Sequence, residues 1–542
     1  MDDNPPGSTE DGRDTPPEAS REPPQAVAAE ITSLLDRAEA LSPESPDGGV
    51  AWHEAVDALR THRSLLDQVA VTGYRAARLL ARSGDPNDLP AVAALAGRAN
   101  DDGVAEAGPI HAEAVDKLHL FQNRPQPYGT VMVEHQGEIV QPPVDPRTTD
   151  EQRSALGLPS LVEMQRRMVD ASRRLAGERA ATGSLPPGQR FARVWTDPEP
   201  VELRARLAAE GASAWADGDV LTFVAESDGP VTVTPVFPIE TWSVGDGLQV
   251  LQVLVERLDE AIITYTFTPV ADPGLGLTPR SFRRGSHDGR FRGRSAPVEL
   301  PSNDPLVGTT FDHAVESPAL GVPRTVTVYR PPDHRAGDDV PVLYATDGNM
   351  FAPYARRLDA AIEAGTCPPV VVVAAHAAPM NPIEGNIRAL EYLQGFDDAR
   401  FVAHQRFFTV ELVAWAETEL GVATDPARRG IFGCSDGAGH ALTTSLLNPR
   451  AYANTFAYST GMPPDPDVLA ALAGDGGWGA DTHPTVHLCA GTLEGGFHQA
   501  TAAWAGYLHL QGAPHHFTER VAGHDLIQWA EELPRALARA WG

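Results

Sequence analysis

From Thr309 to the C-terminus, short apolar runs alternate with amphipathic segments, and this alternation constrains the fold more than anything else in the chain. TVTVYRPP, VPVLYATDG, PVVVVAAH, GIFGCSDG, NTFAYSTG, TVHLCAGTLE and HHFTERVAGHD are each about one strand long. Between them lie PYARRLDAAIEAG, FFTVELVAWAETEL, GHALTTSLL and FHQATAAWAGYLHL, which carry the three- and four-residue spacing of helices. Strands that are apolar on both faces need helices on both sides, so the expectation is a mainly parallel sheet in an α/β fold.

One turn in this pattern carries chemistry. Gly433-Cys434-Ser435-Asp436-Gly437 fits G-x-S-x-G, with a strand ending at Phe432 before it and a helix from Gly439 after it. A strand–turn–helix of this kind forces the serine to the top of the sheet with its hydroxyl exposed. Glycines two residues either side leave room for the turn. The following helix N-terminus and the backbone N–H of Asp436 then face a developing oxyanion. This makes Ser435 a nucleophile candidate in an α/β-hydrolase fold.

A serine hydroxyl needs a base at neutral pH. His524, in Val521-Ala-Gly-His-Asp-Leu-Ile-Gln-Trp529, follows the last expected strand and precedes the final helix, where the order Ser, acid, His puts the base. His515 and His516 fall inside the strand, and His440 follows the elbow. Glu494 follows the penultimate strand, the place of a carboxylate that orients the imidazole. Asp525, adjacent to the base in sequence, is poorly placed to reach its ring.

At 542 residues the chain needs more than one core. Residues 1–24 are Pro- and acid-rich and read as a disordered tail. Residues 25–185 read as a mostly helical domain. Residues 190–300 carry β-rich runs such as VLTFVAESD, GPVTVTPVFP and AIITYTFTPV, and read as an antiparallel sandwich. Residues 305–542 form the α/β domain. The segment Arg280–Arg294 holds six arginines and reads either as a mobile basic lip over the site or as a solvated linker. A formal charge of −30 argues against nucleic acid and anionic membrane as partners. Three cysteines without a CxxC pair give neither a disulfide framework nor a zinc site. With no apolar run near ~18 residues and no secretory signal, the expectation is a soluble cytoplasmic protein.

The ordered motifs also carry a resemblance. VLYATDG with Asp347 and Gly348, Arg388-x-x-Glu391-Tyr392, the elbow, GTLE and GHDLIQW together resemble the enterochelin esterase branch of the esterase D-like α/β hydrolases. The preceding β-rich region resembles the immunoglobulin-like domain of those enzymes. The resemblance implies ester hydrolysis by Ser and His, extending to the trilactone of iron-loaded catecholate siderophores. It implies a second oxyanion donor near Gly348 or Asn349. It places Arg388, Glu391 and Tyr392 around the substrate, joined here by His440, with an internal Arg–Glu pair bracing the loop as the alternative. It implies no metal or organic cofactor, iron arriving only within a substrate. Ala438, Ala530 and Asp436 depart from the family pattern, and Asp436 puts a carboxylate beside the nucleophile. Residues 105–177, with Gln126 and Tyr128-Gly129-Thr130, resemble an uncharacterised bacterial domain family that implies no activity.

The expected function is therefore a serine esterase acting on a small-molecule ester through an acyl-enzyme. Acyl transfer to another acceptor and a non-catalytic scaffold are the competing readings.

Overall fold

The computed structural model describes residues 24–40, 46–62, 70–83, 85–135, 138–270, 289–380, 385–461 and 483–542. The expected N-terminal tail lies almost wholly outside them, as do residues 280–288 of the arginine-rich segment. Contacts divide the chain into two compact units, Met1–Arg174 and Leu175–Gly542. No helix among the described residues is long and apolar enough to cross a membrane.

The first unit is helical. Helices Pro24–Ala40, Pro46–Thr61, Ala70–Ala81, Leu89–Asp101 and Ala107–Phe121 bury Ile31, Leu35, Leu59, Leu80, Val92 and Leu95 in one core. The Gln126–Thr130 motif is a structural turn. Asp116 accepts from the backbone N–H groups of Tyr128 (2.8 Å) and Thr130 (2.7 Å) and from the Thr130 hydroxyl (2.6 Å). The Gln126 amide spans the gap, donating to the Pro142 carbonyl at 3.0 Å and accepting from Val131 N–H at 2.8 Å. These bonds satisfy the backbone of the turn, while the Gln126 main chain bridges to Val144.

The second unit begins with a β-sandwich. One sheet holds Phe191–Val194, Leu248–Val255, Val220–Glu226 and Ala214–Asp217, with Trp242–Gly245 also paired to Leu248–Val255. The other holds Gly289–Arg292, Ile262–Pro269, Val231–Pro235 and Phe237–Glu240. Leu221, Phe223 and Leu251 meet Val233, Phe237 and Ile263 between the sheets. Every residue of Leu248–Val255 is buried. The cause is a helix the sequence reading missed, Pro200–Glu210, whose Leu203 packs with Trp215, Val224 and Val250 over the outer face. A strand covered on both sides has no need of polar alternation.

The α/β region is an eight-stranded sheet in the order Thr309–Val315, Arg324–Arg330, Val371–Ala375, Val342–Ala345, Arg429–Cys434, Asn454–Tyr458, Thr485–Gly491 and His515–Arg520. The first two pairings are antiparallel and the remaining five parallel. Successive strand residues point to opposite faces. Leu343 therefore joins Leu358, Leu533 and Leu537 from helices Ala352–Glu363 and Leu526–Trp541, while Tyr344 joins Phe407, Phe408 and Leu412 on the other side. Each fully buried Leu or Phe contributes about 1.5–3 kcal/mol, and these two layers fix the strand ends that carry the site.

Candidate active site

The strand Arg429–Cys434 lies centrally in the sheet and feeds directly into the helix Asp436–Leu447. Ser435 sits between them with φ 57° and ψ −127°. A non-glycine residue in that region costs about 1–3 kcal/mol, tolerated only where the surroundings enforce it. Here they do. A Cβ on Gly433 would stand 2.0 Å from the Gly437 carbonyl oxygen, and one on Gly437 would stand 2.3 Å from Thr346 Oγ1. Ser435 N–H is anchored on the Tyr458 carbonyl at 3.0 Å.

His524 stands in the loop between His515–Arg520 and Leu526–Trp541, about a quarter exposed. Its Nδ1 lies 2.9 Å from Glu494 Oε2. The Glu494 side chain is fully buried, and its Oε1 accepts from Ser459 Oγ (2.7 Å), Gln528 Nε2 (2.7 Å) and the Gly491 N–H. Ser459 accepts in turn from Trp529 Nε1 at 2.8 Å, and the Trp529 ring meets His524 edge-on at 4.7 Å. The His524 ring is backed by Phe497 at 4.0 Å. Ser459 and Gln528 were not singled out in the sequence. Their signals are faint: a serine just past an expected strand, and a glutamine one turn past the histidine. Asp525 points away from the ring and caps the final helix, its Oδ1 accepting from Ile527 N–H. Burial pushes its carboxyl above the usual carboxylate range.

The sandwich forms the wall behind this loop. Ile262 makes a parallel bridge with Ala522, and its N–H donates to the Val521 carbonyl at 2.8 Å. Val521 and Leu493 are buried in the sandwich core. A Cβ on Gly523 would stand 2.3 Å from Val236 Cγ2, so the loop is pressed against the sandwich with no spare room.

Ser435 and His524 line one cavity of about 490 Å³, together with Asp347 and Arg388. Arg388, on the short helix Ile387–Tyr392, donates from Nε to Asp347 Oδ1 (2.7 Å), from Nη2 to Asp347 Oδ2 (2.9 Å) and from Nη1 to Asp436. Burial works against its charge, yet the bonds to Asp347 outweigh that and leave the guanidinium above its ordinary pKa. Tyr392 is buried beneath the guanidinium at 4.9 Å, with its hydroxyl accepting from Asp347 N–H at 3.3 Å. Gly348 opens the turn Gly348–Met350, where a Cβ would stand 2.1 Å from the Ala374 carbonyl oxygen. The Asn349 side chain accepts from Ala377 N–H at 3.2 Å.

Two residues expected around the substrate lie elsewhere. Glu391 pairs with Arg324 through bonds of 2.6 and 3.0 Å, both side chains more than nine-tenths buried, and faces a separate cavity of about 820 Å³. It is the internal Arg–Glu brace, with Arg324 in place of Arg388. His440 is wholly buried, its Nε2 2.9 Å from His404 Nδ1, and burial pushes its pKa down to about 3. It belongs to the core beneath the sheet and not to the cavity. Two of the three arginines in the described part of the arginine-rich segment are also committed. Arg290 pairs with Glu299, and Arg292 with Glu531 at 2.5 Å, both from the strand Gly289–Arg292.

Residues 317–540 match the model of a family described as putative esterase. The match covers most of the α/β region and less than half of the chain. The coarse activity of this esterase region is hydrolysis of carboxylic esters. No curated protein matches the sequence. Among solved structures, the ferric enterobactin esterase of Salmonella typhimurium is similar at 16% identity and a TM-score of 0.50, covering 62% of this chain and 98% of that one. The enterobactin esterase of Shigella flexneri, solved in the presence of 2,3-dihydroxy-N-benzoyl-serine, is similar at 17% identity with a TM-score of 0.47, covering 62% and 97%. At these identities the likeness is one of fold.

Proposed function

We propose that the chain is a serine esterase working through an acyl-enzyme. Ser435 attacks the ester carbonyl. His524 takes its proton and then delivers it to the leaving alcohol. Glu494, at 2.9 Å from Nδ1, holds the tautomer in which Nε2 is free to accept, and stabilises the imidazolium as it forms. Backbone N–H groups at Asp436 and near Gly348 and Asn349 receive the oxyanion, aided by the N-terminus of the helix Asp436–Leu447. Water, activated by His524, releases the acyl group. The substrate is a small-molecule ester.

The observation that carries this reading is the conjunction of a strained Ser435 and a carboxylate-bound His524 on one cavity. Treatment of the full chain with a fluorophosphonate tests it. The wild type is expected to label and to hydrolyse p-nitrophenyl butyrate, and a folded Ser435→Ala variant to do neither. Labelling that persists in Ser435→Ala refutes the assignment.

A further inference from the structure

We infer that the site is built for esters whose acyl group is uncharged and apolar, and that its arginine is withheld from the substrate by two aspartates. The inference rests on the serine esterase reading, with the Ser435 cavity as the substrate site.

An arginine beside a nucleophile ordinarily reads as an anchor for an anionic substrate, because its planar fork matches a carboxylate. Arg388 has no such freedom. Asp347 takes the fork through Nε and Nη2, and Asp436 takes Nη1. The pairing is preorganised from three directions: Asp347 lies two residues past the strand Val342–Ala345 in the left-handed region with φ 56°, Asp436 opens the elbow helix, and Tyr392 packs under the guanidinium. One cation and two carboxylates leave this cluster with a net charge of −1, and the Glu494 carboxylate behind His524 adds another negative charge. Among the described residues that line the cavity, Arg388 is the only arginine or lysine. Arg290 and Arg292 are held by Glu299 and Glu531.

Apart from Thr346 and Cys434, the remaining lining is apolar and aromatic: Met350, Phe351, Tyr354, Phe432, Leu526 and Trp529. Such a wall gains from burying an apolar chain or ring and offers nothing to a buried charge. A cavity of about 490 Å³ suits an acyl group of moderate size. The electrostatics therefore oppose the triply negative iron–catecholate complex that the family resemblance brings forward. They favour a neutral ester with an aliphatic or aromatic acyl group. Asp436 is the sequence position that sets this preference, since its carboxylate both occupies Arg388 and repels an anion approaching Ser435.

The test uses the full chain and two esters of similar length, p-nitrophenyl pentanoate and the mono-p-nitrophenyl ester of succinate, which carries a free carboxylate. The wild type is expected to favour the pentanoate in kcat/KM by about ten-fold or more, the scale of one charge contact at a partly buried site. The gap should narrow between 0.05 and 0.5 M NaCl as the exposed part of the field is screened. Asp436→Asn should raise the succinyl-to-pentanoyl ratio several-fold, whatever it does to the absolute rates. Equal use of the two esters, a preference for the succinyl ester, or a ratio unmoved by both salt and Asp436→Asn overturns the inference. Fluorophosphonate labelling run alongside separates the two readings. A chain that labels yet prefers the anionic ester overturns this inference alone; a chain that does not label overturns the esterase reading and this inference with it.

Discussion

The proposed nucleophile and its proposed base are held by different means. Ser435 is fixed by backbone geometry within one strand–turn–helix, where Gly433 and Gly437 leave no alternative path. His524 sits on a loop, and that loop is fixed from outside: Glu494 and Gln528 on one side, Ile262 and Val236 of the sandwich on the other. The first arrangement is local and self-contained. The second is assembled from segments hundreds of residues apart. Ser435 is thus held by short-range sterics, and His524 by contacts made across the fold.

The comparison can be broken at several points. Ser435→Ala should give the largest loss, on the order of 10⁴-fold or more in kcat, with an unchanged melting temperature. Retained p-nitrophenyl esterase activity in a folded variant would remove the nucleophile side altogether. His524→Ala should be comparably severe, and Glu494→Gln milder by about one to two powers of ten, because the acid orients while the base moves the proton. Steady-state kinetics on the three variants checks the order, and a silent Glu494→Gln would show that another carboxylate does this work.

The support from the sandwich should be worth less. Gly523→Ala places a methyl where Val236 already stands, so the His524 loop must shift. A displacement near 1 Å lowers kcat by up to about 10²-fold. Adding Val236→Ala makes room and should restore most of kcat, with KM little changed throughout. If the double variant is no better than the single one, the sandwich does not position the base. Arg292→Ser should have the smallest effect on turnover. It leaves the buried Glu531 short of its partner, so thermal stability should fall by about 3 kcal/mol or somewhat less, while the ester preference stays put. A changed ester preference would return this strand to the role of a basic lip.

What could be read from the sequence follows the same division. The elbow, the strand order around it and the position of Glu494 are properties of short segments or of segment order, and the structure brings Glu494 to His524 as that order implies. Ser459 and Gln528 complete the carboxylate's bonding through contacts across 35 and 34 residues, which no local pattern records. His440 was misplaced for a geometric reason. Five residues along a helix turn about 140° beyond one full circle, so His440 faces the core while Ser435 faces the cavity. Glu391 was grouped with Arg388 through the Arg388-x-x-Glu391-Tyr392 motif of the resemblance, but its partner Arg324 comes from the strand Arg324–Arg330. The helix Pro200–Glu210 was overlooked inside a β-rich stretch, although Leu248–Val255, in which only Gln249 and Gln252 interrupt the apolar residues and strict alternation is absent, already called for a second cover.

The bridge between Ile262 and Ala522 has a practical meaning for anyone dissecting this chain. A fragment cut at residue 305, where the motifs begin, would retain Ser435, Glu494 and His524 and would strip the backing from the loop that carries the last of them. A fragment meant to keep that backing therefore begins upstream of Phe191, at the first strand of the sandwich.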